Sequence, residues 1–249
     1  MFFNQIRASA KPIASLSGFA LFSRASSTKP GTGRFLIRQP SPLASREVPT
    51  PLVFLSATTW DKTAPTADGA GGWTDWSAMY ASRGYTCIEI DLNPPDVLPG
   101  TSEELMEHFT SELNQQIRLA ANPFPPVLFA RAFSSLIAQN YISSHPVSAM
   151  FLLAPPTPSV SDTTSPAAYE PREGILPTAL PEFNYEARFP IGVMYPAAGI
   201  PMSDFEEEHR LAQDQGGWVE HLRFRGNIDG SDSESGRLEV EKWMDRVGI

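Results

Sequence analysis

The chain has 249 residues, enough for one sizeable domain with a buried core. Its 41% hydrophobic content is that of a globular protein, and its net charge of −9 argues against a general nucleic-acid binder, because phosphates would repel it. One cysteine, Cys87, excludes an intrachain disulfide and a cysteine metal cluster.

The charge is uneven along the chain. Residues 1–46 hold seven basic residues (Arg7, Lys11, Arg24, Lys29, Arg34, Arg38 and Arg46) and no Asp or Glu, which leaves 12 basic against 28 acidic side chains, or −16, in the other 203. The opening "MFFNQIRASAKPIASLSGFALFSRASSTKP" is basic, serine-rich and acid-free, the features of a mitochondrial transit peptide. Its apolar run "IASLSGFALF" is broken by serines and too short to span a bilayer. Cleavage is expected near residues 25–28, and a mitochondrial, matrix location with it. Residues 1–45 are set apart as transit peptide and disordered linker, and 46–249 as the folded domain.

In the body, "PLVFLSA" reads as a buried strand and "TTWDKTAPTADGAGG" as a long loop. "WTDWSAMYASRG" reads as a helix with Trp76, Met79 and Tyr80 at helical spacing and Gly84 at its end. "YTCIEIDL" is the next strand, with Cys87 an inert core thiol. "TSEELMEHFTSELNQQIRLA" starts with a capping Thr101 or Ser102 and places Leu105, Phe109, Leu113 and Ile117 on one face. Then come "PPVLFA" (strand), "SLIAQNYISSH" (helix) and "SAMFLLAPP" (strand). After a Pro-rich stretch follow "FPIGVMYP" (strand), "SDFEEEHRLAQDQ" (helix), "WVEHLRFR" (strand) and "ESGRLEVEKWMDRVG" (helix). Alternating strands and helices predict an α/β fold: a mostly parallel central sheet with helices on both faces.

Over roughly residues 50–249 this order resembles the α/β-hydrolase family. "PLVFLSA" and "WTDWSAMYASRGYTCIEIDL" are similar to its early strand, first helix and next strand, and "LIAQNYISSHPVSAMFLLAPP" to the helix and strand after its nucleophile. The resemblance implies a nucleophile elbow, G-x-S-x-G, at "ARAFSS". Alignment puts the outer glycines at Ala130 and Ser134 and the nucleophile at Ala132, which has no hydroxyl. The family's histidine position falls on Asn227 after Gly226, and Asn cannot act as a general base. The acid loop "YPAAGIP" has no carboxylate before Asp204, and the oxyanion loop reads Ser56-Ala57. The Phe133 amide would be the second oxyanion donor. The segment 155–189 stands where active relatives carry a cap.

Other chemistry is sparse. Ser134 and Ser135 are either a displaced nucleophile or helix-start residues that cap free amides. His108 lies in a Glu-rich helix, His145 before Pro146, His209 in "EEEHR" and His221 within a strand. "GAGG" (69–72), Asp204–Glu208 and "DGSDSES" (229–235) read as a loop, a helix start and a solvated connection, against anion- or calcium-binding readings. Trp60, Trp73 and Trp76 are core or a partner's anchor. The implied function is a non-catalytic mitochondrial accessory, assembly or scaffold subunit with a protein partner. It carries no cofactor, no metal, no direct nucleic-acid contact and no transmembrane segment. Two alternatives stand beside it: an active serine esterase or thioesterase with a displaced nucleophile, and a small-molecule binder that uses the vestigial pocket.

Overall fold

The structure, a computed structural model, describes residues 33–62, 72–159, 167–196, 209–213, 216–224 and 234–249. A seven-stranded sheet runs through it in the order β1-β3-β2-β4-β5-β8-β9. The strands are β1 (Phe35–Arg38), β2 (Val48–Ser56), β3 (Tyr85–Asp91), β4 (Val127–Arg131), β5 (Ala149–Leu153), β8 (Ile191–Pro196) and β9 (Val219–Phe224). All neighbours pair in parallel except β1, which pairs antiparallel with β3. A two-stranded piece, β6 (Ala168–Tyr169) with β7 (Leu180–Pro181), lies in the segment between β5 and β8. The helices are α1 (Thr74–Ser82), α2 (Ser102–Leu119), α3 (Ser134–Ile142) and α4 (Glu234–Val247).

The apolar strand runs divide between two faces because strand side chains alternate. Val53, Leu55, Ile88, Ile90, Leu128 and Met150 meet α2 and α3 in one cluster. Leu52, Phe54, Cys87, Phe129 and Phe151 meet α1 and α4 in the other. Phe129 lies 4.8 Å from Phe54 and 5.7 Å from Phe151, ring centre to ring centre, so aromatic packing runs along the middle of the sheet. Trp73 and Trp76 belong to this core and Trp60 to the opposite one, so none of the three is an exposed anchor. Thr101 caps α2 by accepting from the Glu104 amide at 3.3 Å. Gly84 takes φ +101° between α1 and β3, a conformation that suits a residue without a Cβ.

Three features differ from the sequence reading. β1 lies inside the stretch 1–45 that was set apart as unfolded, so the folded domain begins before residue 46. Two of the basic residues counted toward the leader are structural: Arg38 Nε lies 2.9 Å from Glu89 Oε1, and Arg34 lies 3.7 Å from Glu89 Oε2. The helix expected over 203–215 is represented among the described residues by a 3-10 turn, Arg210–Gln213. The β6–β7 piece carries too few residues to show a period. Among the described residues no helix is long and apolar enough to cross a membrane.

Candidate functional site

After β2 the chain moves outward to β3 and then returns to the other side of β2 for β4. Such a reversal opens a crevice at the carboxyl ends of the strands, where ligands bind in open α/β sheets. The residues there are the 57–61 loop after β2, Asp91 at the end of β3, and Ala132–Ser135 after β4.

The turn after β4 is tight. The Ala132 amide extends the parallel ladder by donating to Leu153 O at 3.0 Å, and Ser135 N already donates to Ala132 O at 3.1 Å. Strand becomes helix within two residues because Ala132 adopts φ +47°. A left-handed conformation costs a residue with a Cβ about 1 kcal/mol, and the two flanking hydrogen bonds hold it. Ala130, one residue before Arg131, is fully buried in β4.

Ser134 and Ser135 are adjacent but differ in role. Ser134 Oγ donates to Arg131 O at 2.7 Å and accepts from Arg131 N at 3.1 Å, so it fastens the turn backward. It does not cap α3, whose N-cap position belongs to Phe133. Ser135 Oγ is fully buried and has no hydrogen-bond partner among the described residues.

The amide after the turn's apex is occupied. Phe133 N–H donates to Asp61 Oδ2 at 3.1 Å, and Asp61 is fully buried. Its loop is fixed by Trp60 N and Asp61 N, both donating to Ala57 O at 3.0 and 2.7 Å. Thr58 grips Asp91 twice, N to Oδ1 at 2.8 Å and Oγ1 to Oδ2 at 2.6 Å. Trp60 Nε1 donates to Ile175 O at 2.9 Å, and the Arg172 guanidinium lies 5.1 Å from the Phe133 ring centre. The segment between β5 and β8 therefore covers the turn and opens outward as a groove of about 220 Å³ lined by Leu98, Arg172, Glu173 and Ile175. Behind the turn, the buried Arg131 guanidinium stacks 3.8 Å from the Trp73 ring centre.

No hydrogen bond or ring contact among the described residues joins a histidine to Ser134 or Ser135. His145 stacks on Tyr141 at 4.4 Å, and His108 lies 5.9 Å from the Phe109 ring. His209 is buried, accepts from Leu211 N at Nδ1, and is held neutral because burial pushes its pKa down to about 3. His221 is half-buried in β9. Among the described residues no three His, Cys, Asp or Glu side chains converge on a metal-sized site. Asn227, Asp204–Glu208, most of "GAGG" and most of "DGSDSES" lie outside the described residues.

Sequence reasoning brought Ala132, Phe133, Ser134 and Ser135 to one turn. It missed Asp61, whose signal was slight: one carboxylate closing the otherwise uncharged "SATTWD" after a buried strand. It also missed Arg131, a charge at the end of an apolar run.

No family model and no curated protein matches the chain. Solved structures do match. Thermogutta terrifontis esterase 2 phosphoramylated by tabun superposes with a TM-score of 0.58 at 12% identity, covering 86% of this chain and 89% of that one. XC6422 from Xanthomonas campestris, an α/β serine hydrolase without lid, gives 0.54 at 10%, covering 86% and 89%. The Bacillus cereus carboxylesterase gives 0.52 at 11%, covering 86% and 94%. These matches correct the expectation of a non-catalytic accessory, assembly or scaffold subunit: the architecture is that of esterases and a serine hydrolase. The replaced positions at Ala132, Asn227, the acid loop and the oxyanion loop were read as loss of chemistry, but a missing hydroxyl at the apex leaves open the displaced nucleophile, Ser134 or Ser135, that stood as the alternative.

Proposed function

We propose that this chain, which has the α/β-hydrolase fold, hydrolyses carboxylic esters or thioesters with a nucleophile displaced from the elbow's apex to Ser135. One observation carries the reading. Ser135 Oγ is a buried hydroxyl without a partner, three residues past the strained turn at Ala132. Leaving such a group unsatisfied costs about 1–3 kcal/mol, and an uncompensated polar atom calls for an explanation. Ser134 does not qualify, because its hydroxyl is held by Arg131 on both sides.

In this chemistry the Ser135 oxygen bonds to the substrate carbonyl carbon, and the Phe133 N–H faces the developing oxyanion. The ester C–O or thioester C–S bond then breaks. The serine proton leaves with the alcohol or thiol, and water releases the acid from the acyl-serine. Ser135 is covered in the state described, so turnover requires the 57–61 loop and the covering segment to draw back. The matched esterases support the reaction class, as does the parallel sheet edge on which the turn sits.

The test is prolonged exposure of the full chain to a fluorophosphonate, together with assays on short p-nitrophenyl esters and acyl thioesters. Labelling and turnover lost in Ser135→Ala and kept in folded Ser134→Ala are expected. An unlabelled and inactive wild-type chain, or labelling that survives Ser135→Ala, refutes the assignment.

Mitochondrial import is part of the same proposal, supported by the basic, acid-free residues 1–32. Cleavage near residues 25–28 would leave β1 intact. An intact Met1 on the mature protein would contradict it.

A further inference from the structure

We infer that Asp61 is a built-in plug: its carboxylate holds the anion position at the elbow, and hydrolysis requires its withdrawal together with the covering segment. The inference rests on the proposed function only where it calls that position catalytic.

The Phe133 amide stands at the start of α3, where the helix presents unpaired N–H groups and a partial positive charge. That amide faces the oxyanion of an acyl-transfer reaction when a nucleophile is seated at the turn. Here it already carries a full carboxylate oxygen at 3.1 Å, from a residue with no solvent exposure. A neutral ester carbonyl is a weaker acceptor than a carboxylate, so a substrate cannot take the amide while Asp61 stays.

The plug is keyed to its cover. Trp60, its neighbour, gives its indole N–H to Ile175 O at 2.9 Å and packs its ring 4.9 Å from Phe109 and 6.2 Å from Phe133. Ile175 belongs to a tight turn in which Ile175 N and Leu176 N both donate to Arg172 O. Arg172 in turn lies over the Phe133 ring. The 57–61 loop and the 172–176 turn therefore grip the elbow from two sides and are joined by the Trp60–Ile175 hydrogen bond. Lifting the cover pulls on Trp60, and Trp60 is one residue from the carboxylate. A small monoanionic carboxylate is the ligand that the same position takes once Asp61 is removed.

The test compares wild type, Asp61→Ala, Asp61→Asn and Trp60→Phe. Sodium formate and acetate should raise the melting temperature of Asp61→Ala, with sodium chloride as the ionic control, and should leave wild type and Asp61→Asn unmoved. This readout needs no enzymatic activity. Fluorophosphonate labelling should be about 10–100-fold faster in Asp61→Ala, the factor expected from losing one charged hydrogen bond. Trp60→Phe, which lacks the N–H, should speed labelling less but measurably. Formate binding to Asp61→Ala without any labelling supports the plug and counts against the hydrolase assignment. A folded Asp61→Ala that binds neither formate nor acetate overturns the plug. Where Asp61→Ala does not fold, an unchanged labelling rate in both Asp61→Asn and Trp60→Phe overturns it.

Discussion

Replacing Arg38 by alanine tests whether β1 is part of the domain. The Glu89 side chain is 5% exposed, whereas Arg38 and Arg34 are 31% and 32% exposed. Glu89 Oε1 accepts from Arg38 Nε at 2.9 Å and from Ser77 Oγ. Removing one member of a buried ion pair costs about 3–5 kcal/mol. Two facts reduce that here: the guanidinium meets water on one side, and Arg34 remains 3.7 Å from the other oxygen. The expected cost is about 2 kcal/mol, or roughly 4–8 °C in Tm for a domain of this size. Urea unfolding followed by circular dichroism measures it. Deleting 1–45 removes β1 and both cations and should leave no cooperative transition. An Arg38→Ala chain within about 0.5 kcal/mol of wild type, with 46–249 folding normally, would refute the reasoning.

His209 should give stability a pH dependence. Burial holds it near 3 in the folded chain, against about 6.5 when unfolded, so its contribution is whole above 6.5 and is lost as pH falls toward 3. Between pH 7 and 5 that slope amounts to about 2 kcal/mol, and Asn or Gln at 209 should remove it in urea titrations. Gly192→Ala places a Cβ 2.6 Å from Phe151 Cε2 and 3.0 Å from Trp243 Cε2 and should destabilise by at least about 1–3 kcal/mol in the same assay. Burial raises the Cys87 thiol far above its ordinary pKa, so a thiol reagent such as DTNB should react at the rate of unfolding, and rapid reaction in native buffer would contradict the buried position.

Strands β2, β3, β4, β5 and β8 were legible because each contains an apolar run bounded by Pro, Gly or polar turns. β1 was not: "FLIR" is four residues long, sits among prolines, and its arginines read as leader charge until Glu89 is placed beside them. The elbow was visible from its pattern, a strand, a two-residue turn with Ala132 at its apex, and a helix. The division of labour between Ser134 and Ser135 was not, since it depends on which hydroxyl the helix start turns toward Arg131. Asp61 was passed over for a different reason. Its partner is a backbone amide 72 residues away, and backbone amides leave no trace in a sequence.

Helix α4 ties the fold's timing to residues 237–249. Trp243 packs 5.1 Å from Phe151 in the middle of the sheet, Tyr80 Oη donates to Arg237 O at 2.9 Å, and Tyr85 Oη reaches Ile249 O at 3.2 Å. During synthesis these groups emerge after everything they cover. A nascent chain therefore displays the aromatic floor of one sheet face until α4 has been made and docked. A polypeptide that lacks α4 keeps that floor bare, and chaperones and proteases would treat it as unfolded.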